Sequence, residues 1–130
     1  MAGRGPLENA SGGSHLIVHN SRRTIQGPPN EILPLRHPRT AACYNAREWI
    51  FVVVDGREPQ LSMGMTLEEL GDFMVSLGCT EAINLDGGGS SVMAVAFPGS
   101  SAPGTVSIVN SPSDGVERGR GNAWLVLRKQ

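Results

Sequence analysis

Two Asp-Gly pairs and one run of three glycines are the parts of this 130-residue sequence whose types and spacing could do chemistry. Asp55-Gly56 closes the apolar run Trp49–Val54, and Asp86-Gly87 closes the apolar run Ala82–Leu85. The second pair continues as Gly88-Gly89-Ser90-Ser91, so a carboxylate stands before a sharp turn and two hydroxyls stand after it. Each glycine in a helix or strand interior costs about 1 kcal/mol relative to alanine, so a run of them marks a backbone that turns or comes close to something. Neighbouring N–H groups in such a turn can converge into a nest for an anion. A hairpin loop whose glycines only satisfy positive φ is the plainer alternative. Two nucleotide motifs do not fit: the Walker pattern needs a lysine that the run lacks, and the dinucleotide fingerprint needs a third glycine at position 92, which is valine.

Two carboxylates among arginines suit the transfer of a glycosyl group to water. Asp86 and Asp55 would serve as acid and as nucleophile or base, with a separation of about 5 or about 6.5–9.5 Å deciding between retention and inversion. Arg39, Arg57 and the N–H groups of Gly87, Gly88 and Gly89 would clamp phosphate oxygens, helped by the Ser90 hydroxyl. A sugar joined to phosphate through its anomeric carbon presents both needs at once. Taken singly, each piece is ordinary. Asp-Gly is a frequent turn pair, and one arginine beside one aspartate is usually a surface ion pair of little energetic weight.

These residues need elements that bring them together. The run 49–54 is apolar and β-branched throughout, as for a strand covered on both faces. A strand over 40–44 precedes it across the four-residue loop Asn45–Glu48, a register that sets Thr40 opposite Val53 and Arg39 opposite Val54, beside Asp55. His37 is expected near the same place. Thr66-Leu67-Glu68-Glu69 is a capping box that opens a helix over about 66–77, with Leu67, Leu70, Phe73, Met74 and Leu77 on one face and Gly78 at its end. Strand, helix and strand in that order should make 49–54 and 82–85 parallel, with both Asp-Gly tips side by side at one sheet edge. The carboxyl edge of such strands is where ligands tend to bind.

The predicted class is therefore α+β (mixed α/β), a mixed β-sheet with one main amphipathic helix in a β-α-β unit plus hairpins. Residues 1–14 read as a flexible lead and 15–130 as the domain. Leu16–Val18, Val92–Phe97, Val106–Val109 and Ala123–Leu127 are further predicted strands, the last central and buried. Asn20–Pro38 and Pro98–Gly104 are predicted loops.

Eleven basic and twelve acidic residues give a net charge of -1, which leaves no electrostatic footprint for nucleic acid. No apolar run approaches the ~20 residues of a membrane span, and residues 1–14 lack the apolar core of a signal peptide. The expectation is a cytosolic chain or a piece of a longer protein. Cys43 and Cys79 should lie at the sheet edge opposite the aspartates, where a disulfide could form, though without an export signal two buried thiols are the expectation. His15, His19 and His37 show no metal spacing and read as solvated loop residues. Trp49 and Trp124 read as core rather than as sugar platforms. No metal or other cofactor is expected.

Pro38-Arg39-Thr40-Ala41, Val54-Asp55-Gly56-Arg57, Gly64-Met65-Thr66-Leu67-Glu68-Glu69-Leu70 and Ala82-Ile83-Asn84-Leu85-Asp86-Gly87-Gly88-Gly89-Ser90-Ser91 follow one another in order. This set resembles the successive motifs of the phosphodiester glycosidase domain, a family that includes the lysosomal uncovering enzyme. Pro112-Ser113-Asp114-Gly115 with Arg118, and Asn122-Ala123, resemble its C-terminal end, so the likeness covers roughly residues 36–127. It implies hydrolysis of the bond between a sugar such as N-acetylglucosamine and a phosphodiester, on a small-molecule or glycan substrate. It also implies a site of Arg39, Asp55, Arg57, Asp86, Gly87, Gly88, Gly89, Ser90 and Arg118. The chain departs from the pattern at Cys43, where the family usually has glycine, and nothing before residue 11 resembles the family's first strands. The departures leave room for a missing N-terminal segment, for a homo-oligomer, for a non-catalytic module that binds sugar phosphates or glycans, or for an inactive truncated homologue.

Overall fold

The computed structural model describes residues 10–29, 34–96, 105–119 and 123–127. Strands β1 (His15–His19) and β2 (Arg22–Gln26) form a hairpin in which His19 faces Arg22. The two turn residues, Asn20 and Ser21, both have positive φ, 51° and 61°, the conformation whose twist suits a two-residue hairpin. The loop expected over 20–38 thus contains a strand. The usual signal, a glycine in the second turn position, is replaced here by serine.

Strands β3 (Arg39–Tyr44) and β4 (Trp49–Val54) pair in the predicted register, from Arg39 opposite Val54 to Tyr44 opposite Trp49. Helix α1 (Leu67–Ser76) follows, and its capping box is complete: Thr66 Oγ1 accepts from Glu69 N, and Thr66 N donates to the Glu69 carboxylate. Gly78, at φ 81°, lets the chain leave the helix for β5 (Glu81–Asn84). The sheet order is β2-β1-β5-β3-β4. β4 and β5 are each antiparallel to β3, hence parallel to each other, which agrees with the crossover and with the α+β class. β3 runs between them, so the Asp-Gly tips share an edge but stand one strand apart rather than side by side.

Helix α1 covers one face of this sheet through Leu67, Leu70 and Met74, which pack with Ile17, Val18, Ala41 and Ala82. Cys43 and Cys79 join the same cluster as a disulfide, correcting the expectation of two thiols. β3 and the turn after α1 bring their Cα atoms to 5.8 Å, within bonding reach. Closing a loop of 36 residues stabilises the fold by roughly 3–4 kcal/mol in the chain-entropy view.

The opposite face departs from expectation. Tyr44, Trp49, Phe51 and Trp124 form a ring cluster with centroids 5.2–6.4 Å apart, yet Trp49 is 61% exposed and Trp124 47%. Residues 123–127 form no strand and are exposed, Leu125 at 80%. Their apolar character reads as burial, but among the described residues no second layer covers this face. The expected strands 92–97 and 106–109 shrink to β6 (Ala94–Val95) and β7 (Ser107–Ile108), which pair with each other in a separate small sheet. Phe97 and the loop 98–104 lie outside the described residues.

Candidate functional site

An open cavity of about 560 Å³ lies at the sheet edge that carries the tips of β4 and β5. Its lining takes Asn84 to Gly88 from the end of β5, residues 12–15 from the approach to β1, His37 to Arg39, Arg57, and Leu67 from α1. Of the nine residues predicted to form the site, Arg39, Arg57, Asp86, Gly87 and Gly88 line this cavity. Asp86 is exposed, and one of its carboxylate oxygens accepts from Gly87 N at 2.9 Å, which turns the group back over its own glycine bend.

Arg57 sits at positive φ, 60°, just after the buried Gly56, whose place a Cβ could not take because Pro38 N would be 2.6 Å away. A non-glycine residue held in that conformation is a small store of strain of the kind found at functional sites. Its guanidinium reaches across to the glycine turn, where a Cβ on Gly88 would approach Arg57 Nη2 to 3.2 Å. The only hydrogen-bond partner shown for it among the described residues is the Nδ1 of His37, to which Nε and Nη2 donate at 3.4 and 3.3 Å. No described carboxylate forms an ion pair with it.

Arg39 is differently placed. It is 3% exposed, and it donates from Nε to Met65 O and from Nη2 to Leu35 O, both at 2.9 Å. These bonds tie the segment before β3 to the N-terminus of α1. Burial, and then the nearby Arg57 charge, push the Arg39 pKa down from its ordinary value. His37 feels the same field: burial first, then Arg57 and Arg39, lower its pKa and favour the neutral ring. The two guanidiniums disfavour each other beside an open cavity that the Asp86 carboxylate also lines.

The other four predicted residues lie outside that lining. Asp55 ends β4 at the same edge, but its Oδ1 accepts from Asn110 Nδ2 at 2.8 Å and from Ser111 N at 3.0 Å. Asn110 also donates to Ser91 O and accepts from Met93 N, so Asp55 holds the later chain against the glycine bend. Gly89 is buried beneath an ion pair between Arg118 and Asp114, and a Cβ there would overlap both side chains. Arg118 is therefore brought to the bend with a carboxylate partner already beside it. Ser90 is half-buried behind the turn.

The bend itself is a short 3-10 turn, Gly88–Ser90, rather than an open nest. Gly88 N donates to Pro38 O, Ser90 N to Gly87 O and Ser91 N to Gly88 O. Thr40 Oγ1 donates to Ser91 Oγ, which fastens the far end of the bend to β3.

Several contributing residues were not singled out from sequence. His37 was expected nearby but as a solvated residue; instead it bridges to Met65 through backbone hydrogen bonds and accepts from Arg57. His15 is buried in β1 rather than on a loop, and Asn84 faces it across the ladder. His19 is exposed and pairs with Glu81, whose pKa is lowered first by the Asn20 N–H and then by that histidine. Only the position of Asn84 two residues before Asp86 was there to be read as a signal.

A family model described as phosphodiester glycosidase matches residues 2–127 of this chain. The SPbeta prophage-derived uncharacterized protein YomE of Bacillus subtilis (strain 168) is 31% identical over 119 residues. That match takes in 91% of this chain but 17% of the prophage protein, so the chain spans about a sixth of its relative's length. The crystal structure of a putative exported protein from Burkholderia pseudomallei K96243 is 46% identical, with a TM-score of 0.53, over 65% of this chain and 15% of that one.

Proposed function

The chain belongs to the phosphodiester glycosidase family, and from that premise we propose that it hydrolyses the bond between the anomeric carbon of a sugar and a phosphodiester. The observation that carries this reading is Arg57, a guanidinium with no described carboxylate partner, held over Gly88 in the cavity that Asp86 also lines. A phosphodiester anion would meet that charge and relieve the repulsion between Arg57 and Arg39.

A glycosidic bond to phosphate asks less of the protein than one to a sugar hydroxyl. The departing phosphate is a stable anion, so Arg57 can stabilise it electrostatically and no strong general acid is needed. One carboxylate in the cavity then suffices. Asp86 acts on the anomeric side, as nucleophile or as the base that activates water. Asp55, with Oδ1 committed to Asn110 and Ser111, is assigned to holding the loop rather than to the second carboxylate role. N-acetylglucosamine is the sugar the family resemblance suggests, and UDP-N-acetylglucosamine and the methyl phosphodiester of N-acetylglucosamine 1-phosphate are the substrates to test. Free sugar should appear with either. Tight binding of both without any sugar release would instead favour a sugar-phosphate binding module, the reading that the commitment of Asp55 supports.

A further inference from the structure

We infer that His15 and Asn84 form a subsite at the cavity wall that receives hydroxyl protons from the sugar ring of the phosphodiester, an inference that rests on the reading above. Both residues line the cavity, and both are more than nine-tenths buried, at 3% and 5% exposure. They are partners in the β1–β5 ladder, so their side chains emerge next to each other on one face of the sheet.

The bonds they already make fix what each has left. His15 Nε2 lies 2.9 Å from Pro28 O, and a carbonyl can only accept, so the ring proton is on Nε2. In the neutral ring that leaves Nδ1 as a bare acceptor, and it is buried without a hydrogen-bond partner among the described residues. Asn84 Nδ2 donates to Leu85 O at 2.9 Å and to Ser14 Oγ at 2.8 Å. The Leu85 carbonyl likewise settles which end of the amide is nitrogen. Asn84 Oδ1 is then a second buried acceptor without a partner among the described residues.

Buried polar atoms in folded proteins are nearly always paired, and leaving one unpaired is costly. Two unpaired acceptors on residues that face each other across the ladder therefore ask for donors, and the cavity that both residues line is where a ligand can bring them. The phosphodiester group itself cannot answer, because it has no proton to donate and its oxygens would meet lone pairs. Hydroxyls on neighbouring carbons of a sugar ring can, each donating one proton. The cavity is thereby divided: Arg57 supplies the positive end for phosphate, and His15 with Asn84 supply the accepting end for the sugar.

Calorimetric titration with inorganic phosphate, with N-acetylglucosamine 1-phosphate and with hexose 1-phosphates that each lack one ring hydroxyl tests this. The wild-type chain should bind the sugar phosphate more tightly than phosphate alone, and removal of at least one ring hydroxyl should weaken binding about tenfold. His15→Phe should shrink the advantage of sugar phosphate over phosphate by a similar factor. If phosphate binds and every deoxy sugar phosphate binds as well as the parent, ordered water occupies these acceptors and the inference fails alone. If neither phosphate nor sugar phosphate binds, the phosphodiester reading fails and takes the subsite with it. The deoxy series uses only wild-type protein, so the answer does not depend on the variant's folding.

Discussion

Asp55-Gly56 and Asp86-Gly87 are the same dipeptide at the ends of two parallel strands, at one edge of one sheet, and the fold uses them differently. The Asp55 carboxylate is occupied by Asn110 and Ser111 and works as an anchor. The Asp86 carboxylate is exposed in the cavity, bonded only to the next residue's N–H among the described partners. What separates them is the chain that arrives later. Asn110 docks on the β4 tip and, through Ser91 and Met93, grips the strand leaving the glycine bend. A motif at a strand end is left open to the cavity or engaged by the chain according to what caps it.

Substitutions at the two tips should diverge accordingly. The largest effect is expected from Asp86→Asn, which removes the cavity carboxylate: sugar release should fall about a thousandfold while the thermal midpoint stays within a few degrees of wild type. Arg57→Ala should come next, lowering kcat/KM for the phosphodiester about a hundredfold by removing the charge opposite the departing phosphate. At the other tip, Asp55→Ala should cost about 1–3 kcal/mol in urea unfolding, because Asn110 Nδ2 and Ser111 N each lose an acceptor.

The smallest effect is a pH limb from His37, whose neutral Nδ1 orients Arg57. Its pKa in the folded chain lies below the ordinary 6.5, mainly through burial, so the unfolded chain takes up the proton first as pH falls. The stability of the neutral arrangement is complete above about 6.5 and is lost as pH falls below it toward the folded value. A rate profile should show an acid limb in that window, because a protonated Nδ1 cannot accept from Arg57. His37→Asn, whose Oδ1 can accept in the place of Nδ1, should flatten the limb while keeping most of the rate.

Much of this frame was legible in the sequence because local rules govern it. Four loop residues set the β3–β4 register, Thr66 and Glu69 announced the helix, and strand–helix–strand order put both tips at one edge. The different surroundings of the two tips were not legible, since they depend on Asn110, 55 residues away from Asp55. Equally, no spacing says that Cys43 and Cys79 are bonded; the register must first bring them together. The runs 49–54 and 123–127 read as buried because apolar residues report a preference for burial, not the presence of a covering layer. Trp49 and Leu125 show the difference, since both are exposed on the face away from α1. What His37 and His15 bond to was hidden for a related reason: a lone histidine carries no spacing, and only the fold shows which nitrogen is engaged.

The most direct test measures kcat/KM for sugar release from UDP-N-acetylglucosamine with wild type, Asp86→Asn and Asp55→Asn in parallel. Asparagine at 55 retains the Oδ1 acceptor, so that variant should stay within a few fold of wild type while Asp86→Asn loses about three orders of magnitude. Equal losses at both positions, or an undiminished rate in Asp86→Asn, would contradict the assignment of reaction to one tip and bracing to the other.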